Sequence, residues 1–431
     1  MRRSFLLAAL VAGCTSSDPE RTPNEPAENW QPRIPQTALQ IDVDALEGRA
    51  ELGVSTLGEG AVSLWTGGLD VGSVEIDGFP ELGWVVDDDR LDVALPHDVA
   101  EATVIVEYSF DLAGQFEGLM AGGSTLTWPY HCDNLFPCRP HPSEGTRFLL
   151  DVTSAQDLVF AEDTMGVAPA YQMAWAAGEY VRTELGVTPA GTVIEAWAPP
   201  GAEAAVAAGT DGLVDVFGWL EQTLGPYAFG PRAGAVQVEW GPGAIGGMEH
   251  HPLWHVSAGA MDDPIVQAHE AAHGWFGAEV RLACWEDLVL SEGVATWLAA
   301  RAIGATAGAE AEAEVWEDYR AELRGIVDGP LNRDLVVWPD SCGEVDVLDG
   351  GLFTRATYLK GAWFLRQVSE ASSTDAVERA VAAVVASRGG QAAGMQDLVD
   401  ALEVETGLDL SELVTQWLRT EGAPEGWDEE T

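Results

Sequence analysis

The sequence predicts an α+β protein of more than one domain, in which an antiparallel β domain precedes an α-rich domain. At 431 residues the chain is too long for one ordinary hydrophobic core. Runs of alternating apolar and polar residues fill residues 39–186, as in half-buried strands. After about residue 189 the apolar spacing changes to the period of a helix. We therefore expect a β sandwich or saddle followed by a helical domain.

The charge of the chain excludes one class of function. It carries 70 acidic and 21 basic side chains, a formal net charge of −49, which repels phosphate backbones and anionic lipids. We therefore expect no nucleic-acid partner. The acidity either keeps the surface soluble, which is the reading we favour, or attracts basic peptides.

The amino terminus resembles a lipoprotein signal. Arg2 and Arg3 precede an apolar run at residues 5–11, and Leu-Val-Ala-Gly-Cys at residues 10–14 resembles a bacterial lipobox. We expect residues 1–14 to be a signal peptide with a lipobox and Cys14 to be acylated. The chain would then be an exported lipoprotein of a bacterial cell envelope, at the outer membrane or the periplasmic face, with membrane contact only through this lipid. The alternative is an ordinary cleaved signal in which Cys14 has no role.

Composition divides the rest of the chain into three parts. Residues 15–36 are rich in Pro, Glu, Ser and Asn, which favours a flexible tether. We assign residues 37–190 to the β domain, where turn signals such as residues 77–78, Asp-Gly, separate the strand patterns. Residues 191–431 are assigned to the α-rich domain.

The α-rich domain is expected to open with a strand near residues 192–198 and a helical stretch near residues 204–224, followed by two short strands. Glycine and proline signals then separate further helical patterns. Helices are predicted near residues 264–276, 286–302, 309–327, 355–368 and 375–386.

The cysteines suggest two disulfides. If lipid takes Cys14, four cysteines remain in a chain bound for an oxidising compartment. Three pairings are open, and we favour the local pair Cys132–Cys138, which leaves Cys284 with Cys342. A thiolate zinc site is the rival, although the tight spacings of such sites are absent.

A candidate metal site lies in the helix predicted near residues 264–276. His269-Glu270-Ala271-Ala272-His273 is an H-E-x-x-H pattern. Residues four apart lie on one helical face, so both imidazoles can bind one cation with Glu270 beside it. Glu292 on the next helix can supply a third ligand, which gives a His₂Glu site for one zinc per chain with one position open. The alternative is a helix pair with solvated acids and two hydrogen-bonded histidines.

Several motifs together resemble the M1 (gluzincin) family of zinc aminopeptidases. The run from His269 to Thr296 keeps the family's gap of eighteen residues between H-E-x-x-H and the zinc glutamate. Upstream, Gly-Gly-Met-Glu-His at residues 246–250 resembles the G-x-M-E-N exopeptidase motif. Downstream, Tyr-Leu-Lys-Gly-Ala at residues 358–362 resembles the family's Y-x-K-G-A segment.

The resemblance implies a thermolysin-like catalytic domain that hydrolyses peptide bonds, most simply by removing amino-terminal residues. Zinc on His269, His273 and Glu292 would lower the pKa of its water, and Glu270 would take the proton as general base. Tyr358 would stabilise the oxyanion that forms.

Substrate binding is expected at residues 246–249, and peptides are the expected partners. Glu249 would pair with the substrate's free α-ammonium, whereas Gly246, Gly247 and Met248 would lie along the peptide. The other reading of Glu249 is a solvated acid at the end of a strand. A loop from the β domain, residues 132–138 with Arg139 and His141, either faces the cleft or is a disulfide-closed structural loop.

Departures from the family pattern keep alternatives open. His250 stands where the motif has asparagine, which allows an endopeptidase or another zinc hydrolase. A further alternative is a peptide-binding lipoprotein without catalysis. With His251 and His255, His250 could also form a second metal site, although such histidines more often pack or hydrogen-bond. The long carboxy-terminal helical domain of many relatives has no counterpart here, which would leave a more open cleft.

Overall fold

The computed structural model describes residues 32–56, 60–114, 116–161, 166–241, 245–329, 336–340, 342–343, 347–348 and 351–428. The expected signal peptide, Cys14 and most of the expected tether lie outside the described residues.

The first domain is built on a mixed sheet of six strands. They are β1 (Gln36–Asp42), β2 (Glu47–Ser55), β4 (Leu69–Ile76), β7 (Glu101–Phe110), β10 (Thr146–Thr153) and β12 (Val167–Ala168), in the order β12-β10-β1-β2-β7-β4. Every second residue of β2 and β7 is buried, because alternate side chains of a strand point to opposite faces. The sheet differs from the predicted antiparallel arrangement at one pair: β10 returns alongside β1 in the same direction.

Smaller sheets complete this domain. They consist of β3 (Ala61–Trp65) with β5 (Trp84–Asp87) and β6 (Arg90–Ala94), β8 (Gly118–Leu119) with β9 (Thr125–Leu126), and β11 (Leu158–Phe160) with β13 (Trp175–Ala177). The predicted disulfide Cys132–Cys138 is confirmed, and the loop that it closes buries Leu135 and Phe136 in the core of this domain.

The second domain contains a sheet of five strands. They are β14 (Val181–Val187), β15 (Val193–Ala198), β16 (Arg232–Val238), β17 (Gly247–Met248) and β18 (Leu253–Ser257), in the order β14-β15-β16-β18-β17. The predicted boundary between residues 190 and 191 therefore falls between two strands of one sheet. Because β17 is an edge strand, one side of its backbone has no sheet partner among the described residues.

The helices of the second domain follow. They are α1 (Glu203–Gly209), α2 (Leu213–Leu224), α3 (Pro264–Ala272), α4 (Leu288–Ala307), α5 (Ala309–Val327), α6 (Arg355–Ala371), α7 (Thr374–Arg388), α8 (Met395–Thr406) and α9 (Ser411–Trp417). The five helices predicted from residue 264 onward correspond to α3 through α7. The stretch predicted near residues 204–224 is two helices, and α8 and α9 were not predicted. The short strands β19 (Arg281–Leu282) and β20 (Ala392–Ala393) pair with each other.

Helix α4 is the centre of the second domain. Residues 285–307 are long and apolar enough to match a membrane span by composition, but 78% of their most apolar window is buried inside the protein. A Cβ at Gly293 would lie 2.7 Å from the Cα of Gly361, so α4 and α6 touch through their backbones. The second predicted disulfide, Cys284–Cys342, is confirmed and holds the segment just before α4. The predicted α+β fold class is confirmed.

Candidate active site

Three side chains from two helices converge at the base of a cleft. Asp263 caps α3 by accepting hydrogen bonds from two amides of its first turn, and Pro264 takes the position where no donor is needed. His269 and His273 then lie one turn apart, with their Nε2 atoms separated by 3.0 Å. The Glu292 carboxylate of α4 lies 3.3 and 3.5 Å from these two nitrogens.

These separations fit a zinc ion. A tetrahedral centre with ligands about 2.1 Å away requires ligand atoms about 3.4 Å apart. The observed triangle of 3.0, 3.3 and 3.5 Å is close to that size. Two imidazole nitrogens and one carboxylate oxygen are also the donor set of catalytic zinc, with one position left for water or substrate.

Hydrogen bonds orient both imidazoles for this role. His273 Nδ1 lies 2.9 Å from the carbonyl oxygen of Phe276, so Nδ1 carries the proton and donates it. Thr296 donates its hydroxyl hydrogen to the Glu292 carbonyl at 2.7 Å and can therefore accept from His269 Nδ1 at 3.3 Å. Each histidine thus keeps the lone pair of Nε2 for a metal.

Glu270 lies between the two histidines along α3 and is buried. Its Oε2 atom has no hydrogen-bond partner among the described residues. A Cβ at Gly247 would collide with the Glu270 carboxylate, so any side chain there would displace that carboxylate. Oxygens of Glu249 and Glu270 lie within 4.8 Å of each other and of a His273 nitrogen.

The electrostatics reflect this crowding of buried groups. Burial raises the pKa of Glu249 to about 7 and that of Glu270 well above its ordinary value. Burial also lowers the pKa of His269 to about 4. Burial acts on His273 in the same direction, but the charges of Glu292 and Glu249 outweigh it and raise the pKa to about 10. A divalent cation at the triangle would lower all of these values.

The site opens into a cleft of about 500 Å³. All nine site residues proposed from the sequence line it: Gly246, Gly247, Met248, Glu249, His269, Glu270, His273, Glu292 and Tyr358. The Tyr358 ring stacks on the His269 ring, with 5.6 Å between ring centroids. Trp128 from the first domain and Phe353 form an aromatic wall, with their ring centroids 4.3 Å apart.

Other candidate residues do not reach the cleft. His250 is buried and is not among the lining residues. Within the described ranges, His250, His251 and His255 belong to no group of three or more side chains that could hold a metal. The loop at residues 132–138 is also absent from the lining, so it is the disulfide-closed structural loop, not a cleft-facing one.

Three further residues at the site were given no role in the sequence analysis. Thr296 orients His269, Trp128 lines the cleft, and the hydroxyl of buried Tyr171 hydrogen-bonds Glu249. Thr296 follows Glu292 by one helical turn, which was a usable signal. Trp128 and Tyr171 belong to the first domain, and no local pattern indicates their position.

Comparison with known sequences finds a match over the helical domain. Residues 261–417 match the Peptidase family M1 domain. Aminopeptidase M1 of Arabidopsis thaliana is 30% identical over 162 residues, which is 37% of this chain and 18% of that protein. Tricorn protease-interacting factor F2 of Thermoplasma volcanium is 25% identical over 213 residues, 46% of this chain and 26% of that protein. The chain thus matches about a quarter or less of these relatives' length.

Solved structures match nearly the whole chain in fold. The M1 zinc metallopeptidase from Deinococcus radiodurans has a TM-score of 0.75 at 19% identity, covering 91% of this chain and 94% of that one. Yeast LTA4 hydrolase in complex with bestatin has a TM-score of 0.77 at 19% identity, covering 95% of this chain and 71% of that one. Both have the arrangement of a β-rich domain followed by a helical domain.

Proposed function

We propose that this chain is a zinc-dependent peptidase that removes amino-terminal residues from peptides, as the match of residues 261–417 to the Peptidase family M1 domain supports. The observation that carries the proposal is the triangle of His269, His273 and Glu292 with Glu270 and Glu249 in the same cleft. Two histidines that can bind a metal, a buried acid beside them and a second acid in the same cleft are the groups that hydrolysis at a free amino terminus requires.

The two histidines and Glu292 would hold one zinc per chain. Zinc supplies a Lewis acid there, which polarises the scissile carbonyl and lowers the pKa of water. Glu270 takes a proton from the attacking water and delivers it to the leaving amine, so the bond is hydrolysed without a covalent enzyme intermediate. Its unpartnered Oε2 is free for this transfer within the described site.

Glu249 supports exopeptidase action. Its buried carboxylate, hydrogen-bonded by Tyr171, can pair with a substrate's α-ammonium and so select the first residue of a chain. The substitution of asparagine by His250 was the reason to consider an endopeptidase, yet the His250 side chain does not line the cleft. A mutant of the Deinococcus radiodurans protein has been solved with a Tyr-Ser-Ala substrate, which supports peptides as the substrate class.

Tyr358 completes the proposed machinery. Its ring stacks on the ligand His269 and lines the cleft, so its hydroxyl can hydrogen-bond the oxyanion of the tetrahedral intermediate. Burial raises the pKa of Tyr358 well above its ordinary value, which keeps the hydroxyl protonated as a donor.

The test compares the wild type with Glu270→Gln on free and amino-acetylated versions of the same tripeptides, with zinc content measured in parallel. We expect one zinc per chain in both proteins and a loss of turnover in the variant of about 10³-fold, because only the base is removed. Cleavage of acetylated peptides would instead indicate an endopeptidase. Absence of any Glu270-dependent cleavage would indicate a peptide-binding protein.

We also propose that the chain is a lipoprotein of a bacterial cell envelope, anchored through Cys14. The lipobox-like Leu-Val-Ala-Gly-Cys sequence at residues 10–14 supports this. Expression in a bacterium with a labelled fatty acid should label the wild type but not Cys14→Ser. Equal labelling of both proteins, or of neither, would contradict the proposal.

A further inference from the structure

Buried His251 connects residues 246–249, the proposed substrate-binding segment, to helix α3, which carries Glu270. It follows Glu249 by two residues and is 1% exposed, yet it does not line the cleft. His251 Nε2 lies 2.9 Å from the backbone carbonyl oxygen of Glu270. The histidine next to the substrate motif therefore contacts the main chain of the residue proposed as catalytic base.

This carbonyl lacks the usual partner of a helix. The last carbonyl groups of a helix have no amide four residues ahead within the helix. The amide of Gly274 would serve Glu270, but it turns to the carbonyl of Ala271 at 3.2 Å. His251 supplies the missing donor, so it acts as a side-chain cap at the carboxyl end of α3.

A second hydrogen bond fixes the tautomer that this cap requires. The Tyr227 hydroxyl lies 2.7 Å from His251 Nδ1. Because Nε2 must donate to a carbonyl, Nδ1 carries the lone pair and accepts from the hydroxyl. Burial raises the pKa of Tyr227 well above its ordinary value, so the hydroxyl keeps its proton. The imidazole has one arrangement in which both bonds form.

The backbone of His251 is held as well. Its amide lies 3.2 Å from Oε1 of Gln172, a buried residue of the first domain, and 2.8 Å from the carbonyl oxygen of Glu249. A Cβ at Gly274 would lie 3.1 Å from the His251 ring, so the turn after α3 packs directly against it. His251 thus joins the first domain, the Glu249 segment and the end of α3.

We propose that His251 is a positioning residue that sets the place of the catalytic base Glu270 relative to the amine-binding Glu249. This inference rests on the proposed aminopeptidase function. A free amino terminus on Glu249 and a scissile carbonyl beside Glu270 must fit one residue length. A misplacement of about 1 Å can reduce the rate by about 10²-fold. Loss of the hydrogen bond between His251 and the Glu270 carbonyl should therefore slow the chemical step.

The experiment compares His251→Leu, which removes the donor, with His251→Gln, whose amide nitrogen can replace Nε2. His255→Leu is the matched control, because His255 is equally buried on β18. Its neighbour Trp254 donates to Gln267 of α3, and successive residues of a strand point to opposite faces, so His255 points away from α3. We expect His251→Leu to keep one zinc per chain and to lose about 10- to 100-fold in kcat/KM, with both a lower kcat and a higher KM for free-amine peptides. His251→Gln should recover most of this loss, and His255→Leu should lower Tm without changing kcat.

Three results would overturn the proposal: wild-type kcat/KM in His251→Leu, an equal kinetic loss in His255→Leu, or no recovery in His251→Gln. If His251→Leu does not fold, Tyr227→Phe tests the same link, because it keeps the imidazole but frees its tautomer. We expect a reduction in kcat of about threefold or more there, and an unchanged kcat would equally overturn the proposal.

Hydrogen exchange separates this inference from the proposed function. In zinc-loaded protein, the α3 peptide should exchange faster in His251→Leu than in the wild type and His255→Leu, whether or not the chain cleaves peptides. Equal exchange would show that His251 does not stabilise the end of α3. Absence of Glu270-dependent cleavage in the wild type would refute the proposed function, and the exchange result would still test the role of His251.

Discussion

Two histidine pairs in this chain have the same ring geometry and different surroundings. The rings of His269 and His273 are 4.6 Å apart between centroids at an angle of 89°. The rings of His250 and His255 are also 4.6 Å apart at 89°. Within the described ranges, only the first pair has a carboxylate within reach of both rings, that of Glu292.

The two pairs also differ in the hydrogen bonds of their ring nitrogens. Those of His269 and His273 bond to Thr296 and to the Phe276 carbonyl. Neither nitrogen of His250 has a hydrogen-bond partner in the described part of the chain, and neither does Nδ1 of His255. Two well-placed imidazoles are therefore not sufficient for a metal site. A third ligand and hydrogen bonds that fix the tautomer of each imidazole are also required.

The largest effect is expected from removing the feature that only the first pair has. Glu292→Gln should lower zinc affinity by more than about 100-fold, because each ligand of a zinc site contributes on the order of 3 kcal/mol. Zinc content after dialysis should fall from one per chain to a small fraction. His255→Leu, which alters the second pair, should keep one zinc, and zinc loss there would mean that the pairs are not independent.

The next effect concerns the orienting bonds of the first pair. Thr296→Val leaves His269 Nδ1 without its acceptor and should weaken zinc binding by about 10- to 100-fold. Ser291→Ala is the matched control, because His273 Nδ1 keeps the Phe276 carbonyl when the Ser291 hydroxyl at 3.2 Å is lost. Competition with a chelator of known affinity measures both. Equal losses in the two variants would contradict this account of tautomer control.

The smallest effect concerns the second pair, His250 and His255, and the fall in stability at low pH. Burial lowers the pKa of His255 to about 3 and that of His250 well below its ordinary value. Below about pH 6.5 the unfolded chain takes up protons that the folded chain excludes, so the free energy of unfolding falls as the pH falls. At pH 5 the loss from His255 alone is about 2 kcal/mol.

Urea unfolding at pH 7 and pH 5 tests this. His255→Leu should show a pH-dependent loss about 2 kcal/mol smaller than that of the wild type. Zinc release and carboxylate titration occur in both proteins and cancel in the comparison. If the two proteins lose the same stability between these pH values, His255 is not held neutral by burial.

The site was visible in the sequence where one helix or one spacing determines it. His269 and His273 lie on one face because they are four residues apart in a helix, and the gap to Glu292 resembles that of a known family. The positions of Trp128 and Tyr171 depend on the packing of one domain on the other, which no local pattern records. His251 was noticed as a histidine, but its role depends on where the amide of Gly274 turns.

The fold was also predictable only where the pattern is local. Helices α3 through α7 were predicted from the spacing of apolar residues, because each helix buries one face or, in α4, nearly its whole surface. The parallel pairing of β1 with β10 joins residues more than a hundred positions apart, and strand composition does not give direction. Residues 181–187 were assigned to the first domain for a similar reason. The pairing of β14 with β15 in the second sheet is not visible in strand composition.

The contact of Gly293 with Gly361 determines where this protein tolerates change. Gly293 follows the proposed ligand Glu292, and Gly361 follows Tyr358 by three residues, so the backbones of the two helices meet beside both proposed site residues. Any side chain at either glycine would push the helices apart and separate Glu292 from Tyr358. Variation in the proposed substrate preference is therefore expected at the cleft walls, not at these two glycines. Trp128 and Phe353 are the positions at which to begin a library aimed at new peptides.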